Sequence, residues 1–197
     1  MELSFLKIIF RFISILSVGM TIKIMDDYLD QDLDRIEEKR TLAQHLQRAS
    51  LPYALILFSI AVLFNKETAI SLFAASYILG MHHEWQENLP FGIKSYQESL
   101  LVMIICLIFI RPLPMITSFS LMMLVQIADD FIDYYHQIFP ERRNLVRKWG
   151  RRASGLLGSI LLLFSLIYDP GKTIKVIVAT PIIIYLAEIK GWEKECT

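Results

Sequence analysis

Two clusters of aspartate are the side chains in this sequence best suited to chemistry. The first runs from Asp26 to Asp34 and contains five carboxylates, and the second, from Asp129 to Asp133, begins 103 positions later. On a helix, Asp27, Asp30 and Asp34 would share one face, because residues three and four apart are neighbours. Carboxylates this close together repel one another unless a cation lies among them. Magnesium suits that role, since it binds a few carboxylates together with water and phosphate oxygen atoms.

The aspartates are therefore candidate metal ligands, and the basic residues near them are candidate ligands of a diphosphate group. Arginine offers phosphate a planar fork, and lysine offers it a point charge. The candidate metal ligands are Asp26, Asp27, Asp30, Asp34, Asp129, Asp130 and Asp133. The candidate diphosphate ligands are Lys23, Arg35, Lys39, Arg40, Arg142 and Arg143. One acidic run alone is typical of a solvated helix end, but two copies that each precede a basic pair favour a binding site.

The composition is that of a membrane protein. Hydrophobic residues make up 54% of the 197 residues, the mean hydropathy is +0.46 and 20% of residues are charged, whereas soluble domains have roughly 25% charged residues. The formal net charge is zero, which gives no indication of nucleic acid as a partner. Cys106 and Cys196 have no metal-ligand spacing, and we interpret both as unpaired thiols.

Seven apolar segments predict one all-α, polytopic transmembrane helical bundle that occupies the whole chain, 1–197. The segments cover 3–25, 48–64, 68–84, 97–110, 113–131, 152–168 and 173–190. Short polar connections at 65–67, 111–114 and 169–171 predict three helical hairpins. About 20 apolar residues cross a hydrocarbon core of roughly 30 Å. Lys7, Arg11 and Lys23 make the first segment an imperfect span, so a helix on the membrane surface and an all-helical soluble protein are the alternatives.

The chain also resembles itself at a fixed offset, which indicates two pseudo-repeats of about 1–84 and 97–190. At the offset of the aspartate clusters, 38–42 aligns with 141–145, and one inserted residue later 48–50 aligns with 152–154. Each half is then an apolar helix, an acidic motif, a basic pair and a helical hairpin. We expect the two acidic motifs to meet at one membrane face.

The distribution of basic residues predicts the orientation of that face. The segments that follow the acidic motifs carry Lys39, Arg40 and Arg48, and Arg142, Arg143, Arg147, Lys148, Arg151 and Arg152, whereas the opposite loops carry only Lys66, Arg111 and Lys172. Cytoplasmic loops are enriched in positive charge. The acidic motifs are therefore predicted to face the cytoplasm, with the protein in the cell (inner) membrane, the C-terminus inside and the N-terminus outside.

Other polar and aromatic residues leave two interpretations open. His82, His83 and Glu84 could bind a transition metal, but adjacent histidines point to different sides of a helix and a polar loop is the simpler interpretation. Aromatic residues beside the aspartates could stabilise a carbocation or lie at the membrane interface; they are Tyr28, Phe131, Tyr134, Tyr135 and His136. The basic residues Arg147, Lys148, Arg151 and Arg152 are consistent with a positive-inside anchor.

The first cluster resembles the N/D-D-x-x-D-x-x-x-D-R signature of the UbiA superfamily of intramembrane prenyltransferases. The matching residues are Asp26, Asp27, Asp30, Asp34 and Arg35. Asp129 and Asp133 are similar to the second motif of that family, and Lys39-Arg40 is similar to its basic pair. The order of helices, motifs and hairpins extends the resemblance over most of the chain. Asp26 replaces a more usual asparagine, Gln137 stands where a further aspartate would be expected, and two helices of the family have no counterpart.

The resemblance implies a helical bundle open to lipid that holds magnesium ions and a prenyl diphosphate. Asp27, Asp30, Asp129 and Asp133 would be the catalytic residues that promote ionisation of this substrate. The prenyl group would then pass to a lipophilic, commonly aromatic, acceptor. Terpene cyclisation without an acceptor is the first alternative. A non-catalytic membrane relative that binds a polyprenyl lipid or a divalent cation is the second.

Overall fold

The computed structural model of this protein describes residues 2–31, 41–81, 94–136 and 144–192, and these residues form helices joined by short connections. Among them are six long α-helices and two of five residues, and a 3-10 turn at Gln47–Ala49 precedes the third helix. The α-helices are α1 Glu2–Leu29, α2 Leu42–Leu46, α3 Ser50–Met81, α4 Ser95–Phe109, α5 Pro112–His136, α6 Leu145–Trp149, α7 Arg151–Tyr168 and α8 Pro170–Trp192. Within these residues the predicted all-α class is confirmed. The seven predicted apolar segments fall on the six long helices, two of them on α3, and 82–84 lies outside the described residues.

A break at Asn65 divides α3 into two helical segments. Asn65 has φ −158° and ψ 90° inside the 32-residue element, and its side-chain oxygen accepts a hydrogen bond from the Thr68 amide at 3.0 Å. Asparagine competes with helical hydrogen bonds in this way and begins a new helix. The Ser14 hydroxyl of α1 donates to the carbonyls of Ala61 and Asn65, at 2.8 and 3.2 Å, across the break. The predicted turn at 65–67 is therefore a real interruption of the helix.

Proline and aspartate define two further helix boundaries. Helix α5 begins at Pro112 and α8 at Pro170, where the missing amide of proline costs no hydrogen bond. Asp169 precedes α8, and its carboxylate accepts a hydrogen bond from the Lys172 amide at 3.0 Å. These contacts account for the predicted connections at 111–114 and 169–171.

Within the described residues, five stretches of helix are long and apolar enough to cross a membrane. They are Phe5–Leu29, Leu42–Gly80, Pro112–Tyr135, Arg151–Tyr168 and Pro170–Ala187. The second has 39 residues and would be about 58 Å long as one helix, but the break at Asn65 divides it. Helix α4 is a shorter apolar helix of 15 residues. The predicted number of seven crossings stays a prediction.

The surfaces of these helices are apolar and exposed. Between 17% and 33% of each crossing stretch is buried by the protein itself, and side chains such as Leu63 and Phe109 are more than four-fifths exposed. Water would make such extended apolar surfaces prone to association, whereas lipid tails cover them. The described helices thus have the properties of an integral membrane protein.

The chain divides into two compact units, Met1–Ala69 with Lys175–Thr197, and Ile70–Ile174. In the first unit, Ile24, Leu42 and Ala54 form a buried cluster, and a Cβ added to Gly19 would lie 2.3 Å from a side-chain carbon of Ile183. In the second, Ala74, Cys106 and Met115 form the corresponding cluster. Small residues permit close approach of helices, which is how membrane helices gain packing energy.

Candidate functional site

The first acidic cluster lies at the C-terminal end of α1. Asp26 and Asp27 occupy the last turn of the helix, and the amide of Asp30 still donates to the Asp26 carbonyl at 3.0 Å. Asp26 is exposed, Asp30 is half-buried and Asp27 is only 5% exposed. Of these three, Asp27 is therefore the carboxylate that is turned into the protein.

Both oxygen atoms of Asp27 have partners in the protein. Oδ1 lies 2.9 Å from Nζ of Lys23, one helical turn earlier. Oδ2 accepts a hydrogen bond at 3.3 Å from the backbone amide of Leu42, the first residue of α2. Thr41 precedes α2 without capping it through its side chain, so Asp27 satisfies an amide that helix starts leave unpaired. A metal ion at Asp27 would have to share these oxygen atoms with Lys23 and the Leu42 amide.

The second acidic cluster anchors a short helix in the same way. Asp130 is half-buried near the end of α5, and its Oδ2 accepts a hydrogen bond from the backbone amide of Leu145, the first residue of α6, at 2.8 Å. The Asn144 side chain donates to the Asp130 carbonyl at 2.7 Å and accepts from the Arg147 amide at 3.0 Å. Asp129 is exposed and Asp133 is half-buried.

We define the first elbow as Asp27 with 42–50 and the second elbow as Asp130 with 145–154. In each, the aspartate bonds to a backbone amide 15 residues later, and that amide begins a helix of five residues. Each short helix ends in a residue with positive φ, Gln47 at 50° and Gly150 at 87°. A fully buried serine then follows in the next long helix, Ser50 or Ser154. The two elbows share a local geometry and occupy matching positions in the aligned sequence.

The side chains on the two elbows differ in charge. The first elbow borders a recess of about 330 Å³ lined by Tyr28, Gln31, Gln44, Gln47 and Arg48. Three carboxamides, a phenol and one guanidinium can form hydrogen bonds to a polar molecule of modest size. The recess lies within the first compact unit, directly after the acidic end of α1.

The second elbow instead gathers cations around an aromatic ring. The guanidinium carbons of Arg147 and Arg151 lie 5.7 and 5.8 Å from the ring centre of Tyr134. The rings of Tyr135 and Tyr134 pack edge to face, with ring centres 5.4 Å apart, and Tyr135 also lies near Arg151. The tyrosines that could have stabilised a carbocation therefore contact arginines in this structure.

The predicted metal ligands fall into two groups. Asp27 and Asp130 hold backbone amides, whereas Asp26 with Asp30, and Asp129 with Asp133, provide a pair of carboxylates about one turn apart in each cluster. Magnesium takes one or two carboxylates from a protein and completes its shell with water and substrate phosphate, so each pair fits its needs. Among the described residues, no group of three or more acidic, histidine or cysteine side chains is placed to hold a metal ion unaided.

The predicted diphosphate ligands are only partly described. Lys23 pairs with Asp27. The other five candidates lie outside the described residues, and their assignment stays a prediction; they are Arg35, Lys39, Arg40, Arg142 and Arg143. The metal candidate Asp34 and the polar residues 82–84 also lie outside the described residues, so their assignments stay predictions as well. The two acidic motifs belong to different compact units, and their predicted meeting stays a prediction too.

One buried polar residue was not anticipated from the sequence. Lys172, predicted to be a loop residue, is fully buried in the first turns of α8. Its ammonium group donates to the Ser118 hydroxyl, to the Pro114 carbonyl at 3.1 Å and to the Ser71 hydroxyl at 3.3 Å. The available signal was the pair Ser71 and Ser118, two hydroxyls inside apolar helices, because polar residues there usually have a partner.

Comparison with known protein families, with curated proteins and with solved structures finds no match to this chain.

Proposed function

We propose that this protein is a magnesium-dependent membrane enzyme that ionises a prenyl diphosphate and transfers the prenyl group to a lipophilic, aromatic acceptor. The motif resemblance to the UbiA superfamily suggests the reaction. The observation that carries the proposal is the repeated elbow. In both copies one aspartate accepts a hydrogen bond from a backbone amide, and the other acidic side chains at the helix end are exposed or half-buried.

The described residues suggest a division of roles. We assign Asp26 and Asp30 in one cluster, and Asp129 and Asp133 in the other, as the carboxylates that would bind a metal ion and its substrate, since Asp27 and Asp130 are the members of each cluster that hold a helix start. Magnesium bound there would neutralise charge that develops on the departing diphosphate. Asp27 and Asp130 act as positioning residues, because each holds the helix end that carries these pairs. The apolar helices would hold the prenyl chain and keep water from the cation that forms.

The recess of the first elbow favours transfer over cyclisation. It offers amide and guanidinium groups, including those of Gln44, Gln47 and Arg48, to the polar substituents of an acceptor ring. A cyclase has no acceptor, so it would need no polar groups beyond those that hold the diphosphate.

A non-catalytic membrane protein is the second candidate. The observation in its favour is that Asp27 and Asp130 already have partners in the chain. These two aspartates therefore have a structural role that needs no metal ion. A lipid-binding relative would keep these two residues and would not need Asp26, Asp30, Asp129 or Asp133.

The deciding experiment measures diphosphate release by the detergent-purified protein. Labelled prenyl diphosphates of several chain lengths are incubated with magnesium and a panel of aromatic acceptors, and the products are identified. We expect release in wild type and a loss of about 100-fold or more in the double variants Asp26→Asn/Asp30→Asn and Asp129→Asn/Asp133→Asn, since such groups stabilise charge in the transition state.

Glu67→Gln, an acidic residue outside both clusters, serves as the matched control and should keep wild-type activity. Full activity in both double variants would contradict the proposed metal ligands. Unchanged substrate in every incubation with wild type would favour the non-catalytic candidate, and a cyclic hydrocarbon formed without acceptor would favour the cyclase.

A further inference from the structure

The cations of the second elbow have no charged partner among the residues that the structure describes. Arg147 and Arg151 both contact the ring of Tyr134, and neither forms an ion pair with an acidic side chain in that part of the chain. Cation–π contact offsets only part of the cost of bringing two guanidinium groups to one ring. An anion placed between them would relieve the remaining repulsion.

The hydrogen-bonding capacity of Arg147 is also incompletely used. Its Nε is shielded from solvent and has no hydrogen-bond partner in the described structure. A shielded donor without a partner in a native fold indicates an absent water or ion. Lys148 and Arg152, which flank the pair, are exposed and add to the positive potential.

The first elbow shows that these charges are not needed for the backbone geometry. At the positions of Arg147, Lys148 and Trp149 it has Gln44, His45 and Leu46, and Arg151 coincides with the one-residue insertion in the alignment. The same turn forms without them. The shape of the turn therefore does not require these cations.

The surroundings of the cluster place it at a membrane–water boundary. Helix α7 is a candidate membrane span that begins at Arg151. Beside it, the aromatic side chains of Trp149 and Tyr135 are 48% and 66% exposed. Tryptophan and tyrosine are enriched at the level of lipid headgroups, and clusters of lysine and arginine next to a span attract anionic lipids.

We propose that the second elbow binds the headgroup phosphate of an anionic phospholipid through Arg147 and Arg151. Two guanidinium groups can hold phosphate oxygen atoms through charge-assisted hydrogen bonds. Trp149 is suited to lie against the glycerol region of the same lipid. This site is independent of the proposed enzymatic activity.

Binding of fluorescent phosphatidylglycerol to the detergent-purified full chain tests the site, with fluorescent phosphatidylcholine as the reference lipid. We expect wild type to prefer phosphatidylglycerol and Arg147→Gln/Arg151→Gln to lose about tenfold or more of that affinity, since each basic residue near a membrane surface attracts anionic lipid. Arg147→Gln introduces the amide that the first elbow carries at the matching position. Lys66→Gln, which removes an exposed cation outside both elbows, is the control and should bind as wild type does.

Equal affinity of the double variant and wild type would overturn the proposal. Displacement of the lipid by inorganic diphosphate at equal concentration would overturn it as well, because the site would then recognise free phosphate groups and not a lipid. Should the double variant fail to fold, the salt dependence of wild-type binding decides. A headgroup held by charge is released at high ionic strength, and binding that ignores salt would refute the site.

Discussion

The two elbows have the same backbone and different side-chain chemistry. In both, an aspartate at a helix end bonds to the amide of a residue 15 positions later. The first aspartate, Asp27, is buried and forms an ion pair with Lys23. The second, Asp130, is half-buried, and its backbone carbonyl accepts a hydrogen bond from the Asn144 side chain. One elbow borders a recess rich in amides, and the other carries cations on an aromatic ring. The same aspartate-to-amide hydrogen bond therefore accompanies the same turn in both elbows, while the exposed side chains of the turn differ between them.

Substitution of the anchoring aspartates, Asp27 and Asp130, should give the largest losses of stability, and the loss should be larger in the first elbow than in the second. We expect Asp27→Ala to lower the free energy of unfolding by about 3 kcal/mol, because it leaves a buried amide and the partly exposed Lys23 without their partner. Asp130→Ala should cost about 1.5 kcal/mol, since it removes the charge-assisted hydrogen bond from the Leu145 amide at a half-buried position. Denaturant unfolding in detergent, followed by circular dichroism, measures both.

Asp27→Asn is the control for this pair, because it keeps an acceptor for the Leu42 amide and removes only the charge. It should cost less than Asp27→Ala. Equal destabilisation by Asp27→Ala and Asp27→Asn would show that the charge of Asp27, and with it the ion pair with Lys23, adds nothing to the first elbow.

The residues with positive φ offer a second contrast. Gly150 has φ 87° and ψ 149°, a region essentially restricted to glycine, so Gly150→Ala should cost about 2 kcal/mol. Gln47 has φ 50° and ψ −121°, and Gln47→Gly should stabilise the first elbow by about 1 kcal/mol through relief of that strain. The same unfolding measurement tests both variants. The change in the free energy of unfolding must be negative for Gly150→Ala and positive for Gln47→Gly.

Substitution of the two buried serines, Ser50 and Ser154, should give the smallest difference in stability between the elbows. The Ser50 hydroxyl donates to the carbonyls of Gln47 and Ala43, at 2.8 and 3.3 Å, whereas the Ser154 hydroxyl has no hydrogen-bond partner among the described residues. Ser50→Ala should therefore cost about 1 kcal/mol, and Ser154→Ala should be neutral or slightly stabilising. A Ser154→Ala variant as unstable as Ser50→Ala would mean that Ser154 bonds to a group outside the described structure.

Helix positions were predictable because their signals are local. Apolar runs predicted the long helices, and Asn65, Pro112 and Pro170 marked boundaries through backbone chemistry that depends only on near neighbours. The five-residue helices α2 and α6 were not predicted, since a single turn has too few residues to show a period.

The partners of the aspartates were not predictable in the same way. The aligned repeats place Asp27 and Leu42, and Asp130 and Leu145, at equal spacing. No local signal, however, distinguishes an aspartate that will bond to a distant amide from one that will bind a metal. Both uses need the same carboxylate at the end of a helix, and only the fold separates Asp27 from Asp26.

The burial of Lys172 has a practical consequence for topology mapping. Its ammonium group is enclosed by Ser71, Pro114 and Ser118, so a membrane-impermeant amine reagent will not modify it from either side of the bilayer. Absence of labelling at Lys172 in such an experiment shows that its side chain is enclosed by the protein. It does not show on which side of the membrane Lys172 lies. Lys66, which is exposed beside the break in α3, is the lysine whose labelling can show which side that turn faces.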